Sequence, residues 1–287
     1  MSFTENPQNG AVMVAIAKGG FGKTTISLNL ADRLGRNYGK TLYVDCDHNG
    51  HGTAFTGYEE EYQTGKGIYD VIAEDANPED VVIETKWDFD ILPATPDLGK
   101  LSQELNSYQF SHTQLKNQVV DPLLEGEYDH VVIDSPGERN KVMDNALIAT
   151  RSVIIPVMPG AGGLSGVKRI LQDQILPVRN EGVKVDILAI TPNNLTDRID
   201  QDRADRRLLE RLNENFPEYV PEYARITDED WKAIDNGTYD GELPGIRKRD
   251  AISDSFDKAN QPLAHFAPSN DQLKHFDNLA SLVAERA

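Results

Sequence analysis

Nine residues near the start of the chain, Ala17-Lys18-Gly19-Gly20-Phe21-Gly22-Lys23-Thr24-Thr25, restrict its fold more than any other segment. They join a β-rich apolar run, Ala11–Ala17, to a stretch with helical spacing, Thr24–Leu34, whose apolar positions are Ile26, Leu28, Leu30 and Leu34. A loop that holds a phosphate must curl its backbone so that several N–H groups converge on the oxygens, and glycines supply the positive φ this requires. Gly22-Lys23-Thr24 provides the rest: an ammonium for the β- and γ-phosphates, a hydroxyl for Mg²⁺, and a helix N-terminus whose dipole favours the anion. The strict form of such a loop opens on glycine. Here that position is Ala17, and a second lysine, Lys18, stands beside it. Strand, glycine-rich loop and helix in this order predict a phosphate site at residues 18–25.

The alternation continues along the chain. Apolar runs at Thr41–Val44, Phe89–Leu92, Val131–Ile133, Val153–Val157 and Val185–Ile190 read as strands, with a short helical stretch near Ile68–Ala73. Runs that are nearly all apolar suit strands buried on both faces, and strands separated by helices form parallel βαβ units. The expected fold is therefore α/β, a single-domain doubly wound sheet, mostly parallel and flanked by helices, over residues 1–287. From Asn213 to Gly245 the pattern weakens among acidic residues, prolines and glycines, which predicts an acidic surface excursion. The chain closes on a predicted helix, Asp271–Glu285, with one apolar stripe at Leu273, Phe276, Leu279, Ala280 and Val283.

Composition narrows the function. The 47 acidic residues exceed the 29 basic ones, giving a net charge of −18. That charge repels DNA and anionic lipid, so contact with either needs a local basic patch. A high-salt cytoplasm and an ordinary acidic cytosolic protein both fit this balance. The single cysteine, Cys46, excludes an intrachain disulfide and a two-cysteine metal site, and is expected to pack at a strand end. The polar stretch 1–10 lacks the basic and apolar regions of a secretory leader, and no apolar run reaches the length of a membrane helix, so a cytoplasmic location is expected.

Two further carboxylate positions end apolar runs. Asp45-Cys46-Asp47 follows one strand, and Asp134 ends another, where α/β sites lie. Asp134 there can hold a Mg²⁺ shell through water. His48 and His51 beside the aspartates suggest a transition-metal site, or simply a glycine-rich loop that contains imidazoles.

Lys-Gly-Gly-x-Gly-Lys-Thr-Thr at 18–25, with Phe21 at the variable position, resembles the deviant Walker A motif of the ParA/MinD ATPases. The resemblance spans most of the chain. Leu42–Asp47 is similar to the family's switch I strand, Asp90-Ile91-Leu92-Pro93-Ala94-Thr95-Pro96 to a stretch of its ParA branch, and Tyr128–Pro136 to its Walker B strand and switch II. Ile190–Asn193 and Ile246–Ala251 resemble its late segments. Departures occur at His48-Asn49, where the family commonly has Pro-Gln, and at Ser135-Pro136-Gly137, where a double proline is frequent.

The resemblance implies an ATPase that binds ATP and Mg²⁺, forms an ATP-dependent sandwich homodimer and binds DNA nonspecifically. It further implies release by a ParB-like partner, nucleoid association in the ATP state and a role in plasmid or chromosome partition or cargo positioning. It makes Lys18 the lysine that reaches the partner subunit's phosphates, Lys23 the lysine for its own nucleotide, and Asp47 the residue that positions the attacking water. Thr24, Asp45 and Asp134 become the Mg²⁺ set, and Asn193 an adenine contact. MinD-like membrane association and a metabolic ATP-dependent ligase of the same superfamily are the alternatives. The last helix has only Lys274 and Arg286 as basic residues, so no membrane contact is expected. Arg247-Lys248-Arg249, the densest basic run, is the expected DNA patch, with Lys168 and Arg169 as an extension.

Overall fold

The computed structural model describes residues 10–160 and 162–287. The polar stretch expected at about 1–10 lies outside them, Gly10 excepted. Six strands, β1 (Ala11–Val14), β2 (Thr41–Asp45), β3 (Asp90–Leu92), β4 (His130–Asp134), β5 (Ser152–Val157) and β6 (Asp186–Pro192), form one sheet in the order β3-β2-β4-β1-β5-β6. Every pairing between neighbours is parallel. Each expected apolar run is a strand. The first ends at Val14, three residues early, because Ala15–Ala17 already turn into the glycine-rich loop.

Burial explains why the runs are nearly all apolar. Only the opening residues Asp90, His130 and Asp186 are partly open; the other strand positions are buried. Val131 and Ile133 enter the core on one face of the sheet while Val132, between them, enters the core on the other. The period of two thus serves two hydrophobic layers at once. The first helix, α1 (Lys23–Asn37), buries Ile26, Leu30 and Leu34 in the same layer as Phe276, Leu279, Ala280 and Val283 of the last helix, Leu273–Arg286. Each of these large side chains contributes roughly 1.5–3 kcal/mol. Arg33 and Asp277 tie the two helices at 2.5 Å.

Residues 213–245 are more ordered than their composition suggests. Val220, Ala224, Ile226, Trp231 and Ile234 are buried in the main core, and Thr227 caps the helix Asp228–Asp235 by accepting from Asp230 N. The acidic side chains decorate an anchored segment.

Strand β1 lies between β4 and β5. The chain leaves it toward β2 and β3, returns through β4, and continues on the other side to β5 and β6. The reversal opens a crevice at the carboxyl ends of β1 and β4.

Candidate functional site

The glycine-rich loop emerges into that crevice. Gly20 (φ +75) and Gly22 (φ +80) are in the left-handed region, and Gly22 stands at the N-cap of α1. The backbone at 18–22 therefore requires glycine at two positions. The space above Gly19 and Gly20 is open, as a phosphate cradle requires.

The two lysines diverge. Lys23 is buried, 6% exposed, and a side-chain carbon placed on Gly137, after β4, would sit 3.8 Å from its Nζ. Lys18 is exposed, its Nζ 4.9 Å from the Phe21 ring centre and packed against Gly162, whose φ of +107 favours glycine.

The β2–β4 register pairs Asp45 with Asp134. Asp134 Oδ2 accepts from Thr24 Oγ1 at 2.7 Å and from Tyr43 Oη at 3.1 Å, whereas Asp134 Oδ1 is buried without a hydrogen-bond partner. Burial raises the Asp134 carboxyl, against the opposing pull of Lys23. Burial also raises Asp45, and the Asp134 charge adds to it. An orphaned anionic oxygen beside a threonine hydroxyl and a buried lysine is a donor set that suits Mg²⁺, directly or through water. Thr24 and Asp134 fit that ion.

Asp45 does not present itself in this way. Its Oδ2 accepts from Thr53 N and Thr53 Oγ1, both at 2.8 Å, and its Oδ1 from Asp47 N at 3.2 Å. The carboxylate folds the 45–53 loop back on its strand, so that both of its oxygens already accept hydrogen bonds. Asp47 faces the crevice and accepts from the backbone and side chain of Asn49, at 3.1 and 2.7 Å. His48 Nδ1 lies 3.6 Å from Asp47, and His51 stacks on Phe55. Among the described residues neither imidazole joins a cluster of three metal-ligating groups. Cys46 is buried, and burial pushes its thiol up, as a packing residue requires.

Asn193 is placed at the loop with a different immediate task. Its Nδ2 donates to Phe21 O and Val157 O, both at 3.3 Å, so its amide donors brace the glycine-rich loop against β5. Asn193 also lines the crevice.

The basic run is corrected more strongly. Arg247 is 2% exposed; its guanidinium donates to Thr196 O and Pro244 O at 2.5 and 2.6 Å. Arg249 is held by Asp197 at 3.0 Å and Asp271 at 2.7 Å. Only Lys248 of the three is exposed. The segment 246–249 pairs with the turn after β6, Lys248 N donating to Leu195 O at 2.7 Å, and forms a wall of the crevice. Arg247, buried against carbonyl oxygens, cannot meet DNA phosphates, and Arg249 is committed to two aspartates. Lys168 and Arg169, in the last turn of the helix Gly163–Ile170, are exposed.

Loop, Asp47, Asn193 and the 246–249 wall enclose a crevice of about 910 Å³, large enough for a nucleotide. Sequence reasoning missed Tyr43, Thr53 and Gly162. No spacing signal marks the first two; Gly162 lies close to Lys18.

Comparison with known proteins places the chain among relatives. A family model described as an AAA domain matches residues 10–186. The chain is 30% identical over 183 residues to the chromosome partitioning protein ParA of Myxococcus xanthus, a match covering 63% of this chain and 64% of that protein. The chain thus spans less than two thirds of this relative's length. Among solved structures, a protein of Borrelia burgdorferi B31 assigned to plasmid partition and bound to AMPPNP has a TM-score of 0.71 at 20% identity, covering 96% of this chain and 99% of that one. Cobyrinic acid a,c-diamide synthase from Mycobacterium smegmatis reaches the same TM-score of 0.71 at 19% identity, covering 94% and 91%. At such identities structural likeness speaks to fold alone, so the sequence match distinguishes the branches. No helix among the described residues is long and apolar enough to cross a membrane. Two lysines on one loop, one buried and one exposed, and a sequence kinship with partitioning proteins lead to one assignment: the chain belongs to the ParA/MinD family of deviant Walker A P-loop ATPases, in its ParA branch.

Proposed function

We propose that this chain is a ParA-like ATPase that binds ATP in the 18–25 crevice, forms a sandwich homodimer with it, and positions DNA or another cargo. The divergence of the two lysines carries the reading. Lys23 is buried beside Asp134 and Gly137 and serves the nucleotide of its own subunit, while Lys18, exposed and lying over Phe21 against Gly162, would swing out to reach a facing subunit's phosphates. The backbone N–H groups of 19–25 grip the phosphates, and α1 adds its N-terminal dipole. Thr24 and Asp134 hold Mg²⁺, which supplies charge neutralisation at the phosphate oxygens when bound. Asp47, at the crevice edge, orients the attacking water, and Lys18 stabilises charge that develops on the transferred phosphoryl group, as an arginine finger does.

The dimer would bring two subunits' exposed cations together, so that DNA binding follows the nucleotide state. Lys168, Arg169 and Lys248 are the residues proposed to make it, in place of Arg247 and Arg249. A ParB-like partner would stimulate hydrolysis and end the cycle, and the protein would be cytoplasmic, associated with the nucleoid while ATP-bound.

Lys23→Ala is expected to abolish ATP binding by calorimetry. Lys18→Ala is expected to bind ATP yet remain monomeric in analytical ultracentrifugation. A Lys18→Ala protein that dimerises with ATP as wild type does would overturn the sandwich reading.

A further inference from the structure

On the far side of α1 from the nucleotide loop, three chain segments converge on one point. Asp32 belongs to α1, Asp88 to the loop before β3, and His265 to the short helix Leu263–Phe266. His265 Nε2 lies 2.9 Å from Asp32 Oδ1 and 3.3 Å from Asp88 Oδ2, and one ligand atom from each residue fits within 4.8 Å of the others. Asp32 is 0% exposed, and its second oxygen, Oδ2, is buried without a hydrogen-bond partner. A fully buried carboxylate oxygen beside an imidazole and a second carboxylate lacks a donor or a cation.

The surroundings fix each group. Asn29 of α1 accepts from Leu263 N at 3.0 Å, which seats the helix that carries His265. Trp87 meets the imidazole edge-on at 5.1 Å. The Asp88 backbone is pressed against Gly35 of α1, where an added carbon would lie 1.5 Å from Asp88 O. The site is therefore rigid on its protein side and open on the other, since the side chains of Asp88 and His265 are 36% and 27% exposed. A small ion has a path in.

We propose that Asp32, Asp88 and His265 form a binding site for a divalent first-row metal ion, Zn²⁺ foremost, that clamps the 262–266 segment and the β3 entry loop to α1. One imidazole nitrogen with two carboxylate oxygens is a set that Zn²⁺ accepts, with water as the fourth ligand. Metal–ligand bonds of ~2.0–2.1 Å in a tetrahedron place ligand atoms about 3.3 Å apart, close to the separations of 2.9 and 3.3 Å found here. Asp32 Oδ1, which faces the imidazole at 2.9 Å, is the ligand atom at this separation, and the cation offsets the buried charge that the unpartnered Oδ2 shares.

The test uses the full chain, stripped with EDTA, dialysed and free of nucleotide, titrated with ZnCl₂ by calorimetry. Wild type is expected to bind one equivalent and to gain about 5 °C in Tm once free Zn²⁺ exceeds Kd a hundredfold. His265→Gln and Asp88→Asn, both at partly exposed side chains, are each expected to weaken Zn²⁺ binding at least about tenfold while leaving Mg²⁺–ATP binding unchanged. A visible absorption band on adding Co²⁺ to wild type, absent in His265→Gln, gives a second readout. Absence of Zn²⁺ binding by wild type would leave the cluster an ion pair only and overturn the proposal. Wild-type affinity in both variants would do so too, by placing the metal elsewhere.

Discussion

Asp134→Asn is expected to make the protein more stable and unable to respond to Mg²⁺–ATP. Burial holds the Asp134 carboxyl up to about 6, against an ordinary value of 3.8. That difference of about two units costs the folded state about 3 kcal/mol when the group is ionised, at 1.36 kcal/mol per unit. The same charge also raises Asp45, its neighbour in register. Asparagine keeps the shape and one acceptor for Thr24 or Tyr43 and removes the charge that Oδ1 leaves unsatisfied. A gain of about 1–3 kcal/mol follows, or at least about 2 °C in Tm.

The sign of the pH dependence makes the argument specific. A carboxyl raised on folding costs nothing below pH 3.8, where both states are protonated, and its cost grows as pH rises to about 6 and then stays level. The advantage of the variant must therefore be full near pH 8 and nearly gone near pH 4. Differential scanning calorimetry in EDTA at both pH values measures it, and a second scan with Mg²⁺–ATP reads the loss of ligand stabilisation. A variant less stable than wild type at pH 8, or equally favoured at pH 4, would refute the electrostatic reasoning. Retained stabilisation by Mg²⁺–ATP would refute the role of Asp134.

Other perturbations have equally definite outcomes. Asp47→Ala is expected to bind ATP and dimerise but to hydrolyse at least about a hundredfold more slowly in single-turnover assays, and an unchanged rate would reduce Asp47 to the cap of its own turn. His275, 3% exposed and packed on Tyr223, is held by burial down to about 4 from 6.5. Its contribution to stability is complete above pH 6.5 and declines by up to about 3 kcal/mol as pH falls to about 4, and urea unfolding of His275→Phe should lack that decline. Gly35→Ala, normally favourable in a helix by about 1 kcal/mol, should instead destabilise by about 3 kcal/mol or more, because the added carbon meets Asp88 O at 1.5 Å; a raised Tm would show that the 88 loop yields freely.

The sequence alone determined the order of strands and helices, the phosphate loop and its two lysines, and the carboxylates that end β2 and β4. These are local statements: apolar runs buried on both faces must be strands, and glycines at 20 and 22 permit a backbone that other residues resist. The tertiary structure decided how distant positions share their atoms. Asp45 and Asp134 stand side by side only because β4 inserts between β1 and β2, and their competition for protons follows from that register. Thr53 occupies the Asp45 carboxylate, and Asn193 braces the loop, through contacts that no spacing announces. Arg247-Lys248-Arg249 reads as a basic patch in one dimension, yet the pairing of 246–249 with the turn after β6 buries the first guanidinium against carbonyl oxygens and delivers the third to two aspartates. Charge is written in the sequence; whether a charge faces solvent, a backbone or another charge depends on which segments pack against it.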